Sequence, residues 1–175
     1  MVTIKNLIRT IPDHPQPGIQ YRDITTLLRD GKGFQKSIDL IANWSNQFKP
    51  NLIAGIEARG FVFGSAAAFQ LNLGFIPIRK EGKLPHKTIS ERYELEYGSD
   101  CLEVHQEAVE QGTKIVIVDD LLATGGTAKA ACNLLQRSGA KVVGLGFLIE
   151  LSALNGREIL ENLDCEVFSA IQFND

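Results

Sequence analysis

Two adjacent carboxylates and a glycine-rich loop stand together near the middle of the chain. Asp119 and Asp120 directly follow an apolar run, residues 115–118, and they precede residues 124–127, Thr-Gly-Gly-Thr. Glycines allow backbone N–H groups to point into one concavity, and the N-terminus of a following helix adds partial positive charge. A strand, two carboxylates, a glycine loop and a helix in this order are typical of a phosphate-binding site.

The acidic pair indicates which class of phosphate compound this site would bind. No lysine follows the glycines, so the segment is not a Walker loop, and its glycine spacing differs from that of a dinucleotide-binding fingerprint. A sugar phosphate suits the segment better, because sugar hydroxyl groups can donate hydrogen bonds to Asp119 and Asp120 while the phosphate lies on residues 124–127. The alternative interpretation is a buried strand that ends in a polar turn and caps the next helix.

Basic residues follow two further apolar runs. Residues 52–56 and 74–78 read as short strands, and Arg59 and Arg79 come shortly after them. Ligands of open α/β sheets bind at the carboxyl ends of the strands, and arginine binds phosphate oxygens through paired hydrogen bonds. We therefore predict anion-binding groups at both places. An exposed arginine at a helix start and a solvated basic loop are the alternatives.

Three segments of the chain resemble motifs of one enzyme family, the type I phosphoribosyltransferases. Residues 118–127, Val-Asp-Asp-Leu-Leu-Ala-Thr-Gly-Gly-Thr, are similar to the family's signature for 5-phosphoribosyl 1-pyrophosphate (PRPP), in the form carried by its adenine-specific members. Residues 18–24 resemble the segment that shapes the adenine pocket, with Tyr21 where the family usually has Phe. Residues 79–98 resemble the mobile catalytic loop. The resemblance extends from about Pro17 to Arg157.

The resemblance also implies which residues form the site. The ribose and its 5-phosphate would be bound by Asp119, Asp120, Ala123, Thr124, Gly125, Gly126 and Thr127. Pyrophosphate would be bound by Arg59, Arg79, Lys80 and Lys83, and adenine by Tyr21, Arg22 and Leu121. The catalytic residues would be Glu96, Tyr97, Asp119 and Asp120. Glu96 is the candidate for proton transfer with the purine, and a salt bridge within the loop is its alternative role.

The activity implied by the resemblance is purine salvage by transfer of the phosphoribosyl group of PRPP to adenine, which gives AMP and pyrophosphate. Mg²⁺ is the expected cofactor, held mainly by substrate oxygens and water, because this ion keeps few protein ligands when phosphates are present. A cytoplasmic homodimer is expected. Two alternatives remain open: a phosphoribosyltransferase for another purine, such as guanine or xanthine, and a regulatory module that binds the same ligand without turnover.

Alternating apolar strands and amphipathic helices predict an α/β fold with an open, mainly parallel sheet flanked by helices. The predicted strands are residues 52–56, 74–78, about 101–105, 115–118, 142–149 and 167–171. The predicted helices are residues 4–11, 34–48, 61–69, a helix from Thr127 that Gly139 caps, and about 157–163. The chain's 175 residues suit a single domain, with an N-terminal helix and small hood in about residues 1–30 and the mobile catalytic loop in about residues 79–105.

Composition excludes several other classes of protein. A net charge of -3 gives no basic face for nucleic acid, and no apolar run is long enough to predict a membrane span. Three widely spaced cysteines, Cys101, Cys132 and Cys165, are typical of free thiols in a reducing cytoplasm. The three histidines share no ligand spacing, which argues against a zinc site.

Overall fold

Helices and strands alternate along the chain in the computed structural model, which describes residues 3–94 and 98–174. Within these residues the strands are β1 (Arg9–Ile11), β2 (Tyr21–Asp23), β3 (Leu52–Ile56), β4 (Gly74–Lys80), β5 (Thr88–Glu94), β6 (Ser99–His105), β7 (Lys114–Leu122), β8 (Lys141–Leu151) and β9 (Glu166–Phe173). The α-helices are α1 (Thr25–Arg29), α2 (Gly31–Asn46), α3 (Arg59–Gln70), α4 (Gly126–Arg137) and α5 (Gly156–Leu160), and short 3-10 helices cover Ile4–Leu7 and Ser152–Leu154.

The main sheet is covered by helices on both faces. Among the described residues, seven strands form this sheet in the order β5-β6-β4-β3-β7-β8-β9. The parallel part of the sheet consists of β4, β3, β7, β8 and β9. Strand β6 is antiparallel to β4, and β5 is antiparallel to β6. The open, mainly parallel sheet flanked by helices that the sequence predicted is therefore confirmed.

Strand β7 lies inside the sheet and is buried on both faces. Ile115 and Ile117 pack into the layer that holds α4, and Val116 and Val118 pack into the opposite layer, which holds α2 and α3. Successive side chains of a strand point to opposite faces, so a continuous apolar run suits a strand covered on both sides. This burial fixes the position of the residues that follow the run.

Several predicted elements have the bounds that local sequence patterns indicated. Strand β3 covers residues 52–56, as predicted. Helix α4 ends where predicted, since Gly139 adopts a positive φ of 96° directly after the helix, and its N–H donates to the carbonyl of Gln136 at 3.0 Å. A left-handed residue after the last turn is the usual place for glycine.

Other predicted elements differ from the structure because distant residues pair with them. The predicted helix at residues 4–11 is wrong: a 3-10 helix covers Ile4–Leu7, and Arg9–Ile11 forms β1 by antiparallel pairing with β2. Residues 19–24, which are not among the predicted strands, contain β2. Much of the region predicted as a mobile loop, residues 79–105, is the antiparallel pair of β5 and β6.

Two further observations concern the chain as a whole. Across the described ranges, none of the helices has the length and apolar character that crossing a membrane requires. Cys101 and Cys132 are buried, Cys165 is half-buried, and all three are free thiols.

Candidate active site

A loop between β7 and α4 forms the centre of the site. Gly125 occupies the N-cap position of α4 with a φ of 85°, a left-handed conformation that side chains rarely adopt. Its carbonyl accepts a hydrogen bond from the N–H of Lys129 at 2.9 Å and so starts the helix. Glycine brings no capping side chain, which leaves the N–H groups of the first turn available to an anion. We call residues 123–127 the phosphate cradle.

A pocket opens above the phosphate cradle. Its volume is about 80 Å³. The residues that line it are Asp119, Leu121, Leu122, Ala123, Thr124, Gly125, Gly126, Thr127, Ala128 and Phe147. The predicted ribose and 5-phosphate residues thus surround one small cavity, with the exception of Asp120, whose side chain takes part in a neighbouring contact.

Asp119 belongs to β7 rather than to the loop, because the strand continues to Leu122. Its Oδ1 accepts a hydrogen bond from the N–H of Asp120 at 2.9 Å. A Cβ atom on Gly60 would lie 2.9 Å from the same Oδ1, so glycine allows the start of α3 to approach this carboxylate closely. Burial, together with the charge of Asp120, raises the pKa of Asp119 well above its ordinary value.

Asp120 is buried and pairs with Arg59. The Nε atom of Arg59 lies 2.9 Å from Oδ2 of Asp120. Burial raises the pKa of Asp120, and the Arg59 guanidinium opposes that rise. Two carboxylates side by side therefore favour a cationic or proton-donating ligand, since either would relieve the unfavourable burial of negative charge.

Arg59 also joins the acidic pair to the predicted adenine pocket. Its Nη1 donates a hydrogen bond to the Tyr21 hydroxyl at 2.8 Å, and its guanidinium lies 5.8 Å from the centroid of the Tyr21 ring. The ring of His14 packs edge-on against Tyr21 at a centroid distance of 5.1 Å. The structure thus brings together a pyrophosphate candidate, an adenine candidate and a ribose candidate that are far apart in sequence.

The other two adenine candidates occupy different surroundings. Leu121 is half-buried and lines the pocket above the phosphate cradle. Arg22 is buried, and its guanidinium lies 4.1 Å from the centroid of the Phe173 ring on β9. The guanidinium of Arg22 therefore packs against β9, and its role in binding adenine stays a prediction.

Two of the three predicted pyrophosphate residues in the 79–83 segment, Arg79 and Lys80, are paired with acidic side chains. Arg79 forms a two-pronged ion pair with Glu57, with Nη2–Oε1 and Nε–Oε2 distances of 2.9 and 3.2 Å, and lowers the pKa of Glu57. Lys80 pairs with Asp100 and donates to the Tyr93 hydroxyl at 2.9 Å. Lys83 is exposed, and its carbonyl accepts from Nη1 of Arg79 at 3.0 Å.

The β5–β6 hairpin reaches the phosphate cradle through Tyr93. The hydroxyl of Thr127 donates to the hydroxyl of Tyr93 at 3.3 Å, and the Tyr93 hydroxyl lies 3.3 Å from Oδ2 of Asp100. Glu96 and Tyr97, the predicted proton-transfer pair, lie outside the described residues.

Three site residues were not identified from the sequence. Glu57 directly follows β3, so the rule that selected Arg59, a polar residue at a strand's carboxyl end, applied equally to it. Tyr93 lies in the segment that resembles the catalytic loop, but nothing local indicates its contact with Thr127. Gly156, whose backbone packs against that of Gly125, had no signal, because the two residues are distant in sequence.

Comparisons with known proteins agree with this geometry. Residues 23–174 match the family model described as phosphoribosyl transferase domain. An adenine phosphoribosyltransferase of Parvibaculum lavamentivorans is 52% identical over 170 residues, which cover 97% of each chain. The corresponding protein of Desulfitobacterium hafniense is 54% identical over 166 residues, 95% of each chain.

Solved structures give the same result. A crystal structure of adenine phosphoribosyltransferase from Thermoanaerobacter pseudethanolicus matches with a TM-score of 0.93 and 49% identity, covering 97% of this chain and 98% of that one. The Saccharomyces cerevisiae enzyme, solved with adenine and an imino-altritol bisphosphate, matches with a TM-score of 0.89 and 37% identity, covering 95% and 96%. The chain therefore belongs to the phosphoribosyltransferase family. The named relatives that it matches over nearly its whole length are adenine phosphoribosyltransferases.

Proposed function

We propose that this protein transfers the phosphoribosyl group of PRPP to adenine, giving AMP and pyrophosphate in purine salvage. The observation that carries the proposal is the position of Arg59, which contacts both Tyr21 and Asp120. A purine on Tyr21, a ribose on the acidic pair and a leaving pyrophosphate near Arg59 would meet at one point. The chain's similarity to adenine phosphoribosyltransferases over nearly its full length supports the same reaction.

The phosphate cradle would hold the 5-phosphate of PRPP. Its backbone N–H groups, the partial positive charge at the start of α4 and the hydroxyls of Thr124 and Thr127 supply donors for an anion. Asp119 and Asp120 would accept hydrogen bonds from the ribose hydroxyls. When the bond to pyrophosphate breaks, the ribose develops positive charge, and carboxylates already fixed beside it stabilise that charge without reorganisation.

Pyrophosphate would be bound by Arg59, Arg79, Lys80 and Lys83. Each of Arg59, Arg79 and Lys80 contacts a carboxylate. Pyrophosphate, which carries several negative charges, would compete for these cations and would bind arginine through the same paired geometry that a carboxylate uses.

Mg²⁺ is the proposed cofactor. The carboxylate oxygens of Asp119 and Asp120 are donors of the kind that this ion prefers, so the residues present fit it, although the ion would be held mainly by PRPP oxygens and water. When bound, it would neutralise charge on the pyrophosphate group.

The purine would lie between Tyr21 and Leu121, with the backbone of Arg22 at the edge of the pocket. Glu96 and Tyr97 lie beyond the described ranges, and we retain them as the proposed catalytic pair, with Glu96 exchanging a proton with the purine. The free thiols of Cys101, Cys132 and Cys165 support a reducing cytoplasm as the site of the reaction.

A homodimer is proposed as the assembly. Phe69 on α3 is 89% exposed, which is unusual for a large aromatic side chain in a monomer. We expect α3 to contribute to the contact between two copies. Light scattering should give twice the chain mass for the native protein and the single mass for Phe69→Glu, whereas Leu154→Glu, at another exposed apolar residue, should remain dimeric. A native monomer would contradict the dimer, and a dimeric Phe69→Glu protein would exclude Phe69 from the interface.

A steady-state assay tests the reaction. The native protein is given PRPP and Mg²⁺ with adenine, guanine, hypoxanthine or xanthine in separate reactions. We expect rapid product formation with adenine alone. Product with guanine or xanthine instead would assign the protein to another purine. PRPP binding without product from any purine would identify a ligand-sensing module and overturn the enzymatic proposal.

A further inference from the structure

The segment that begins α5 lies directly behind the phosphate cradle. A Cβ atom on Gly156 would lie 2.0 Å from the carbonyl oxygen of Ala123, and 2.9 Å from both the nitrogen of Gly125 and the carbonyl carbon of Thr124. All three are backbone atoms, so no side chain can rotate away to make room. Gly156 is therefore a glycine because the cradle backbone occupies the space of a side chain.

The contact is reciprocal. A Cβ atom on Gly125 would lie 2.6 Å from the carbonyl oxygen of Gly156 and 3.3 Å from its Cα. The backbones of two glycines thus pack against each other, Gly125 in the phosphate cradle and Gly156 at the start of α5. The position of each backbone limits the position of the other, since atoms in close-packed interiors cannot move into occupied space.

An ion pair between half-buried Arg157 and a buried carboxylate holds the start of α5 in place. Nε and Nη2 of Arg157 lie 3.0 and 2.6 Å from the two carboxylate oxygens of Glu150, at the end of β8. The same guanidinium donates to the carbonyl of Val167 at 3.0 Å and to the hydroxyl of Ser169 at 3.2 Å, both on β9. Glu150 is buried. Paired, charge-assisted hydrogen bonds of this type fix geometry as well as adding energy.

We propose that Gly156, held by the Glu150–Arg157 ion pair, is a positioning residue that sets the shape of the phosphate cradle and so the affinity for phosphoribosyl ligands. The inference rests on the proposed function of the cradle. Gly156 touches no substrate; it acts through residues 123–125. The donors of the cradle are backbone N–H groups, so a displacement of this backbone moves the donors themselves. Misplacement of binding groups by about 1 Å can reduce activity by roughly 100-fold.

The test is the Gly156→Ala variant with a matched control. Gly31→Ala introduces the same methyl group at a position where a Cβ meets no atom within 4 Å. Isothermal calorimetry would measure dissociation constants for PRPP and AMP, and steady-state assays would separate KM for PRPP, KM for adenine and kcat. We expect Gly156→Ala to weaken PRPP and AMP binding by roughly 10- to 100-fold. KM for adenine should change little, the melting temperature should fall because the backbone must shift, and Gly31→Ala should behave as native.

A second variant covers the case in which Gly156→Ala does not fold. Arg157→Lys keeps the charge but loses the two-pronged geometry, so we expect a smaller rise in the KM for PRPP, by several-fold, with a native KM for adenine. Native PRPP affinity in a folded Gly156→Ala protein, or in Arg157→Lys if only that variant folds, would overturn the inference. Equal losses for PRPP and adenine would indicate a general structural defect and would also overturn it. Native protein that binds no PRPP would overturn the proposed function, and the inference with it.

Discussion

The hydroxyl of Thr127, at the start of α4, donates a hydrogen bond to the hydroxyl of Tyr93, on β5, at 3.3 Å. The two residues connect the phosphate cradle with the hairpin that carries the proposed catalytic residues. A threonine hydroxyl has one proton to donate. To bind the 5-phosphate this proton must turn away from Tyr93, so the hydrogen bond that Thr127 donates to Tyr93 competes with the one that it would donate to PRPP.

Removing the Tyr93 hydroxyl should therefore favour the phosphate. We expect Tyr93→Phe to bind PRPP about two- to tenfold more tightly, because a net hydrogen bond is worth about 0.5–1.5 kcal/mol and the competing bond is lost. Calorimetric titration of PRPP into native and variant proteins measures the change. Weaker binding by Tyr93→Phe would mean that Tyr93 supports the bound state instead.

Removing the Thr127 hydroxyl should have the opposite effect. Thr127→Val keeps the shape of the side chain and loses a bond to a charged phosphate, worth about 1.5–3 kcal/mol, so PRPP affinity should fall about tenfold or more. Thr113→Val is the control, because Thr113 lies next to the opposite end of β7. An unchanged dissociation constant for Thr127→Val would exclude the hydroxyl as a phosphate ligand.

The raised pKa of Asp119 predicts that this residue lowers the stability of the fold at neutral pH while it supports turnover. Because burial and Asp120 raise this pKa, the folded state binds the proton more tightly than the unfolded state does. Stability is then lost as the pH rises from about 3.8 through the folded pKa. Asp119→Asn should accordingly raise the melting temperature at pH 7, by roughly 2 °C or more, with little difference from native below pH 3.8, while turnover falls at least about tenfold.

Asp120→Asn provides the comparison. It removes the carboxylate that pairs with Arg59, whose guanidinium opposes the rise in the pKa of Asp120, so we expect lower turnover and a smaller gain in stability than Asp119→Asn gives. Thermal melts between pH 3 and pH 8 and steady-state rates at pH 7 measure both effects. Near-native turnover in both variants, together with lower melting temperatures, would assign the pair a structural role.

The contribution of Asp23, on β2, to stability should depend on pH in the opposite direction. Hydrogen bonds from Arg9 and Thr25 lower the pKa of Asp23 to about 2. The charged form of Asp23 therefore stabilises the fold above the unfolded pKa of 3.8, and this contribution is lost as the pH falls through about 2. Asp23→Asn should melt below native at pH 7, and the difference should shrink between pH 4 and pH 2. Asp164→Asn, which alters an exposed carboxylate, should match native throughout.

The Glu96→Gln variant separates catalysis from binding. Glutamine retains size and hydrogen bonding but cannot exchange a proton, so single-turnover AMP formation should slow while the PRPP dissociation constant stays close to native. Glu94→Gln, at the exposed end of β5, should be unaffected. Rapid-quench measurement of AMP, alongside calorimetry, compares the two variants. Equal single-turnover rates for native and Glu96→Gln proteins would remove Glu96 from the mechanism.

Elements with local signals could be predicted from the amino-acid sequence. The β-branched side chains of residues 115–118 are all buried only where both faces of the strand are covered, so β7 could be predicted as an inner strand of the sheet. The cradle followed from glycines that tolerate a left-handed backbone next to a helix start. Because ligands of open α/β sheets bind at the carboxyl ends of the strands, the sequence predicts Arg59 and the acidic pair on the same edge of the sheet, and there Arg59 contacts Asp120.

Contacts between residues that are distant in sequence could not be predicted in this way, because they depend on tertiary packing. Residues 9–11 form a strand because β2 offers backbone partners, and pairing of this kind overrides a helical pattern in so short a segment. The partners of Arg59, Arg79 and Thr127 come from segments 38, 22 and 34 residues away. No spacing rule reaches across such separations. Backbone contacts such as that between Gly125 and Gly156 depend on how two layers close on each other, and only the packed fold specifies them.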